Sequence, residues 1–189
     1  MHRKLLNSKM IGMLAVLLAL FVMVGAAEEE KKSGNLRYVL EGDGATITGY
    51  VKEPRGNMKI PGKVGKYAVT SIGADAFWGC LDLTGVTLPA SVTSIRGNPF
   101  ELCNITSFSV AAKNPVFESV EGVLFDKQRK KLVLYPKAKK GDEYAIPDGV
   151  VSIGESAFAS CNKTSVTIPE SVTSIGDFAF DGCDITMVA

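Results

Sequence analysis

One spacing recurs four times in this chain and constrains what it can fold into: an Ile, a Phe five residues on, and a Cys three beyond that. The four sets are Ile72-Phe77-Cys80, Ile95-Phe100-Cys103, Ile153-Phe158-Cys161 and Ile175-Phe180-Cys183. Val69 to Val92 spans 23 residues, and Val150 to Val172 spans 22. A Pro lies six residues before the Ile in three copies, as Pro89, Pro147 and Pro169. A period of this length marks a stack in which no single unit can bury its apolar face alone.

Each copy reads physically. The stretches "VTLP", "AIP" and "VTIP" are β-branched or apolar and then stopped by Pro, which cannot donate to a following ladder. "VTSI" alternates like a second short strand. Gly73, Gly154 and Gly176 follow the Ile and are expected to turn the chain at positive φ. "DAFWGC", "SAFASC" and "FAFDGC" then predict about one helical turn, with Phe and Cys on a shared face. The twelve Ile, Phe and Cys side chains become the inward-facing repeat core. About five coils are expected. Three positions depart from the pattern and predict local distortion: Arg96 replaces the Gly, Pro99 replaces the Ala, and Lys163 stands where Ile105 and Ile185 are apolar.

These residues carry a family resemblance. "SVTSIGDFAFDGC" with "SVTIPESVTSI" resembles the BspA-like leucine-rich repeat family of bacterial surface and secreted proteins. "YVLEGDGATITGYV", from Tyr38, resembles the hairpin that opens such arrays, and "NPVFESVEGVLFDKQRKKLVLYPK", from Asn114, resembles the family's insert-bearing repeat. The resemblance implies a leucine-rich-repeat solenoid (β-rich α/β), a short, curved, right-handed stack with an N-terminal β-hairpin cap and an inserted β-hairpin. It also implies a binding or adhesion role without naming a ligand.

The chain divides accordingly. Residues 1–27 combine a basic start, an apolar run from Met10 to Val24 and the small residues Gly25-Ala26-Ala27, and read as a secretory signal peptide. The rival reading is an uncleaved membrane anchor. Residues 28–35 are polar and predict a flexible leader. Residues 36–189 form the repeat domain, with a cap hairpin over 36–58 and an atypical repeat over 111–147. Within that repeat Gly122–Asp126 pairs with Lys131–Tyr135 about a turn at Lys127–Lys130. The last coil, ending in "DITMVA", reads as unfinished.

The composition excludes several functions. The only histidine is His2, inside the predicted signal peptide, so His-based catalysis and His-ligated metal sites are excluded from the mature chain. Cleavage removes Arg3, Lys4 and Lys9 and takes the formal net charge from +1 to −2, which does not suggest bulk nucleic-acid binding. Asp75, Glu155 and Asp177 sit near turn starts, where capping explains them better than catalysis. No cofactor or metal is implied, and no enzyme. The four Cys occupy one repeat position; a buried column of small hydrophobes is favoured over two disulfides.

Two features suggest partner contact. Lys127, Arg129, Lys130, Lys131, Lys137, Lys139 and Lys140 crowd one stretch, either as a solvated hairpin tip or as a surface for an anionic partner. Trp78 and Phe178 fall at repeat positions otherwise held by surface residues and are expected to face outward. The resulting expectation is an exported protein, whether periplasmic, secreted or on the outer surface. It would bind protein or glycoprotein, such as extracellular matrix or a host surface. The alternative is an envelope module that forms a homo-oligomer through its last coil.

Overall fold

The computed structural model describes residues 29–183 and 185–188. The predicted signal peptide, residues 1–27, lies outside them. Short strands account for the regular structure. The first nine are β1 (Lys31–Ser33), β2 (Leu36–Glu41), β3 (Gly44–Tyr50), β4 (Gly56–Lys59), β5 (Lys63–Val64), β6 (Tyr67–Ile72), β7 (Leu83–Leu88), β8 (Ser94–Ile95) and β9 (Ser107–Val110). The remainder are β10 (Phe117–Val120), β11 (Val123–Asp126), β12 (Lys131–Leu134), β13 (Glu143–Ala145), β14 (Ser152–Ile153), β15 (Ser165–Thr167), β16 (Ser174–Ile175) and β17 (Thr186–Val188).

Equivalent strands of successive coils pair in parallel, as a solenoid requires. On one face β3, β6 and β8 run parallel, with Ile72 opposite Ile95; further on β12, β14 and β16 do the same, with Ile153 opposite Ile175. The other face carries β4-β7-β9 and β13-β15-β17. Between the faces, aromatic rings stack coil on coil: Tyr50, Phe77 and Phe100 at 6.3 and 5.4 Å, then Tyr135, Phe158 and Phe180 at 4.7 and 4.9 Å. Six coils therefore contribute a ring, one more than the repeat spacing suggests, because Tyr50 of the cap and Tyr135 of the insert take the place of Phe.

Three expectations are corrected and a fourth is extended. First, the segments from Ile to Cys are not helical. Each is a pair of tight turns, with Trp78 N–H donating to the Asp75 carbonyl and Cys80 N–H to that of Phe77. Neighbouring coils bond there laterally (Phe77 N–H to Pro99, Phe158 N–H to Ala179), which flattens the segment against its neighbour. Among the described residues there is no helix.

Second, the Gly after the Ile is not the left-handed residue. A Cβ at Gly154 would lie 2.8 Å from the Val133 carbonyl oxygen, and one at Gly176 2.6 Å from the Glu155 nitrogen, so Gly is there to let backbones approach. Positive φ falls instead on Asp75, Ser156 and Phe178, and on the residue before every Cys: Gly79, Leu102, Ser160 and Gly182. Third, part of the predicted leader is ordered, because β1 pairs with β2, from Lys31 opposite Tyr38 to Ser33 opposite Leu36. Fourth, the expected hairpin is present, β11 pairing antiparallel with β12 about the turn at 127–130, and β10 extends it to a three-stranded meander, β10-β11-β12.

The meander divides the interior. Leu124 and Leu134 belong to the core of the first coils, whereas Val123, Phe125 and Leu132 belong to a second core around Ile153 and Phe158. Successive side chains on a strand point to opposite faces, so β11 is buried on both sides; on β12 Leu132 and Leu134 reach different cores where the ladder to β11 shifts register between Leu124 and Phe125. Asn114 anchors the meander. It is 1% exposed. Its amide donates to the carbonyls of Pro89 (2.9 Å) and Val92 (2.8 Å) and accepts from the N–H groups of Val116 (2.9 Å) and Phe117 (2.8 Å).

The repeat core is uneven. Ile72, Phe77, Cys80, Phe100, Cys103, Ile153, Phe158 and Cys161 are buried. Ile95 is half-buried, because no ladder joins β8 to β12 and a small gap opens beside Val133 and Gly154. Phe180 and Cys183 are half-buried, and Ile175 is 50% exposed, as no described coil stacks beyond β16.

The departures are accommodated with one local change of backbone, at Gly97. Arg96 forks onto Glu41 at 2.9 and 2.5 Å, tying the second coil to the cap and holding the Glu41 carboxyl below its ordinary range. Pro99 disfavours a helical Asn98, and Gly97 takes the left-handed conformation instead. Lys163 is buried, 2% exposed, and its ammonium donates to the carbonyls of Lys139, Lys140 and Gly141.

Candidate partner-binding surface

The basic stretch is built on the β11–β12 turn. Arg129 adopts φ 55°, and the Asp126 carboxylate accepts from the backbone N–H groups of Lys130 and Lys131, both at 2.7 Å. This clamp fixes the turn and leaves Lys127, Arg129, Lys130 and Lys131 exposed. Arg129 is held against Glu118 at 2.5 Å, and the Lys130 ammonium reaches the Gly149 carbonyl at 3.2 Å.

Lys137, Lys139 and Lys140 do not join this group. They follow β12 at its other end, where Lys139 donates to the Glu121 carbonyl at 2.5 Å. At ~3.3 Å per residue the six residues from Lys131 to Lys137 span at most about 20 Å, and the two groups stand at opposite ends of β12. The stretch that reads as one cluster is therefore two, because the meander sends its turns to opposite ends. Beneath the second group the buried Lys163 organises the 139–141 backbone. Burial, reinforced by the nearby Lys139, pushes the Lys163 ammonium below the usual lysine range, while Cys161 and Asp142 oppose the shift.

Trp78 and Phe178 both face solvent, at 54% and 70% exposure. They sit in the coils of Ile72 and Ile175, with the coils of Ile95, Tyr135 and Ile153 between, so the fold does not bring them together. Trp78 has its own company. Val51 and Leu81 are also exposed, and Val51 follows Tyr50 as Trp78 follows Phe77 in the ring stack.

Sequence reasoning missed an open groove of about 510 Å³ beside the cap. Leu36, Met58 and Val64 supply apolar wall, and Arg55, Lys59 and Lys63 surround it with positive charge. Arg55 is paired with Asp82 at 3.4 Å. The groove's lining comes from two separate stretches, 33–36 and 54–64, and only the Lys and Arg spacing from 55 to 63 hinted at it. Among the described residues no group of three or more Cys, Asp or Glu is placed to hold a metal.

The sequence matches the BspA type Leucine rich repeat region in six copies, over residues 57–130 and 135–189. The chain belongs to that family. Among curated proteins no sequence matches it. Among solved structures it is similar to the pneumococcal vaccine antigen PcpA, at 16% identity and a TM-score of 0.50, over 86% of this chain and 70% of that one. It is similar also to the leucine-rich repeat protein TpLRR of T. pallidum, at 23% identity and a TM-score of 0.50, over 84% of this chain and 70% of that one. At these identities the likeness is one of fold. The β-solenoid of leucine-rich-repeat type is thus reached from the sequence spacing, the parallel ladders and the comparisons alike.

Proposed function

We propose that this chain is an exported, non-enzymatic binding protein that recognises an anionic protein or glycoprotein surface through the β11–β12 turn. The observation that carries the reading is the Asp126-clamped turn, which presents Lys127, Arg129, Lys130 and Lys131 together on a rigid mount. A turn ordered before binding loses little entropy on contact, and clustered like charge attracts an anionic partner at long range. Membership of a family of repeat proteins, and likeness to a vaccine antigen, support a binding role.

The test is binding of the purified protein to immobilised heparin and matrix glycoproteins across a salt series. Saturable binding that weakens with salt is expected. Lys127→Glu with Lys131→Glu should abolish most of it, and Lys137→Glu with Lys140→Glu should cost less. Equal losses from both pairs would move the contact off the turn, and salt-insensitive binding would refute an electrostatic surface.

A second reading, self-association through the last described coil, is favoured by the exposure of Ile175 and Phe178. Light scattering tests it. A monomer at high concentration would sink it, and a dimer lost in Phe178→Ser would support it.

A further inference from the structure

The four Cys form two pairs, and the pairs are not alike. Cys80 and Cys103 are both fully buried, and burial pushes the Cys103 thiol up to about 12. Cys161 and Cys183 sit on neighbouring coils farther from the cap, beyond the insert, and Cys183 is half-exposed. The Cys183 thiol donates to the Cys161 sulfur at 3.3 Å and to the Phe158 carbonyl at 2.8 Å. The two residues lie on adjacent coils. Neighbouring strands stand ~4.8 Å apart, within the ~4.4–6.8 Å between Cα atoms that a disulfide spans.

We propose that Cys161 and Cys183 form a thiol–disulfide switch that reversibly staples the last two coils, while Cys80 and Cys103 stay reduced. The surroundings support thiolate chemistry. The Cys161 thiol is lowered to about 7, first by the Cys183 hydrogen bond and further by the Lys163 backbone N–H and ammonium, against the opposing effect of burial. Cys183 is raised, chiefly through the same bond. Two sulfurs sharing one proton in this way lose the first proton easily and hold the second. Lys163 thus stands beside this pair, whereas at the Cys80–Cys103 pair Ile105 takes its place and the charge of Lys137 does not overcome burial.

The oxidant is an external disulfide, R–S–S–R, of low molecular weight or on a protein partner. The proton that Cys183 donates in the hydrogen bond passes to the Cys161 thiolate, and the half-exposed Cys183 sulfur, now the thiolate, attacks one sulfur of R–S–S–R; a new S–S bond forms, the old one breaks, and RS⁻ leaves. Cys161 gives its proton to RS⁻ or solvent and attacks the Cys183 sulfur of the mixed disulfide, expelling a second RS⁻. The two protein thiols are oxidised by two electrons, and R–S–S–R is reduced to two RSH once both thiolates are protonated.

The test incubates the purified protein in glutathione buffers of rising oxidised fraction, followed by acid quench, alkylation and peptide mass mapping. A Cys161–Cys183 link with Cys80 and Cys103 alkylated only after unfolding is the expected result. In Cys161→Ser a glutathione adduct should accumulate on Cys183, about tenfold faster than on Cys161 in Cys183→Ser, following exposure. Absence of the link in the most oxidising buffer, with circular dichroism showing the wild-type protein folded, would overturn the proposal. Equal linking of Cys80 to Cys103 would also overturn it.

Discussion

Asn114 offers the sharpest test of how the insert is held. Its side-chain amide makes four hydrogen bonds, two donated to carbonyls of the preceding coil and two accepted from the start of the meander. Asn114→Ala removes all four and leaves two carbonyls and two N–H groups without partners in a site 1% exposed. At ~0.5–1.5 kcal/mol net per bond the loss is about 4 kcal/mol, a large part of the stability of an ordinary domain. Asn114→Asp keeps both acceptor bonds but sets a carboxylate against the Pro89 and Val92 carbonyls. It should be as damaging at neutral pH and recover as the pH is lowered, because a carboxyl forced up by burial stabilises only while protonated. Urea unfolding followed by circular dichroism measures both. A loss under about 1 kcal/mol for Asn114→Ala at unchanged denaturant slope would refute the reasoning, since four groups, two of them fully buried, cannot go unpaired so cheaply.

Other outcomes follow from the same structure. Lys163→Ile restores the apolar repeat position but strands three carbonyls, and should cost about 2–4 kcal/mol in the same unfolding assay rather than stabilise. Gly154→Ala drives a methyl into the Val133 carbonyl across the β12–β14 ladder and should cost about 1–3 kcal/mol. Ser160→Gly relieves a left-handed residue and should raise the melting temperature, by up to about 1 kcal/mol of stability. Alkali should destabilise the fold. The Cys103 thiol is raised to about 12, so its contribution is complete below the ordinary thiol range near pH 8.5 and is lost as the pH climbs through about 12, a change on the order of 4 kcal/mol. Melts between pH 8 and 11 that do not fall for the wild type, or fall equally in Cys103→Ala, would contradict this.

What the sequence disclosed was whatever the repeat enforces. The Ile, Phe and Cys positions are legible because the same burial is required in coil after coil, so the pattern is written four times. The Phe slot filled by Tyr135 is not legible, since the insert displaces it from the period. Nor does the run Val123-Leu124-Phe125 reveal that its side chains serve two different interiors, because both faces of the strand are apolar. Lys163 misleads for another reason: its partners are backbone carbonyls, which carry no residue identity. The basic stretch misleads because contiguity along the chain is not proximity when a meander intervenes. The positive-φ sites were invisible too, as Leu102, Ser160 and Phe178 are residues that seldom adopt such a conformation.

The wall of β11 and β12 has a consequence for how the molecule comes apart. Coupling in a stack of coils passes only between neighbours, and here it must pass through a partition that no backbone ladder crosses from β8 to β12. The two interiors are then expected to act as separate cooperative units, joined by a few backbone bonds (Phe108 N–H to Gly122, Ala138 N–H to Ile105) and by side chains such as Asn98, whose amide donates to the Ser156 carbonyl at 3.0 Å. Amide exchange should resolve two protection levels with the step at the meander. The molecule then behaves as two short springs in series, able to yield at one end under load while the other keeps its shape.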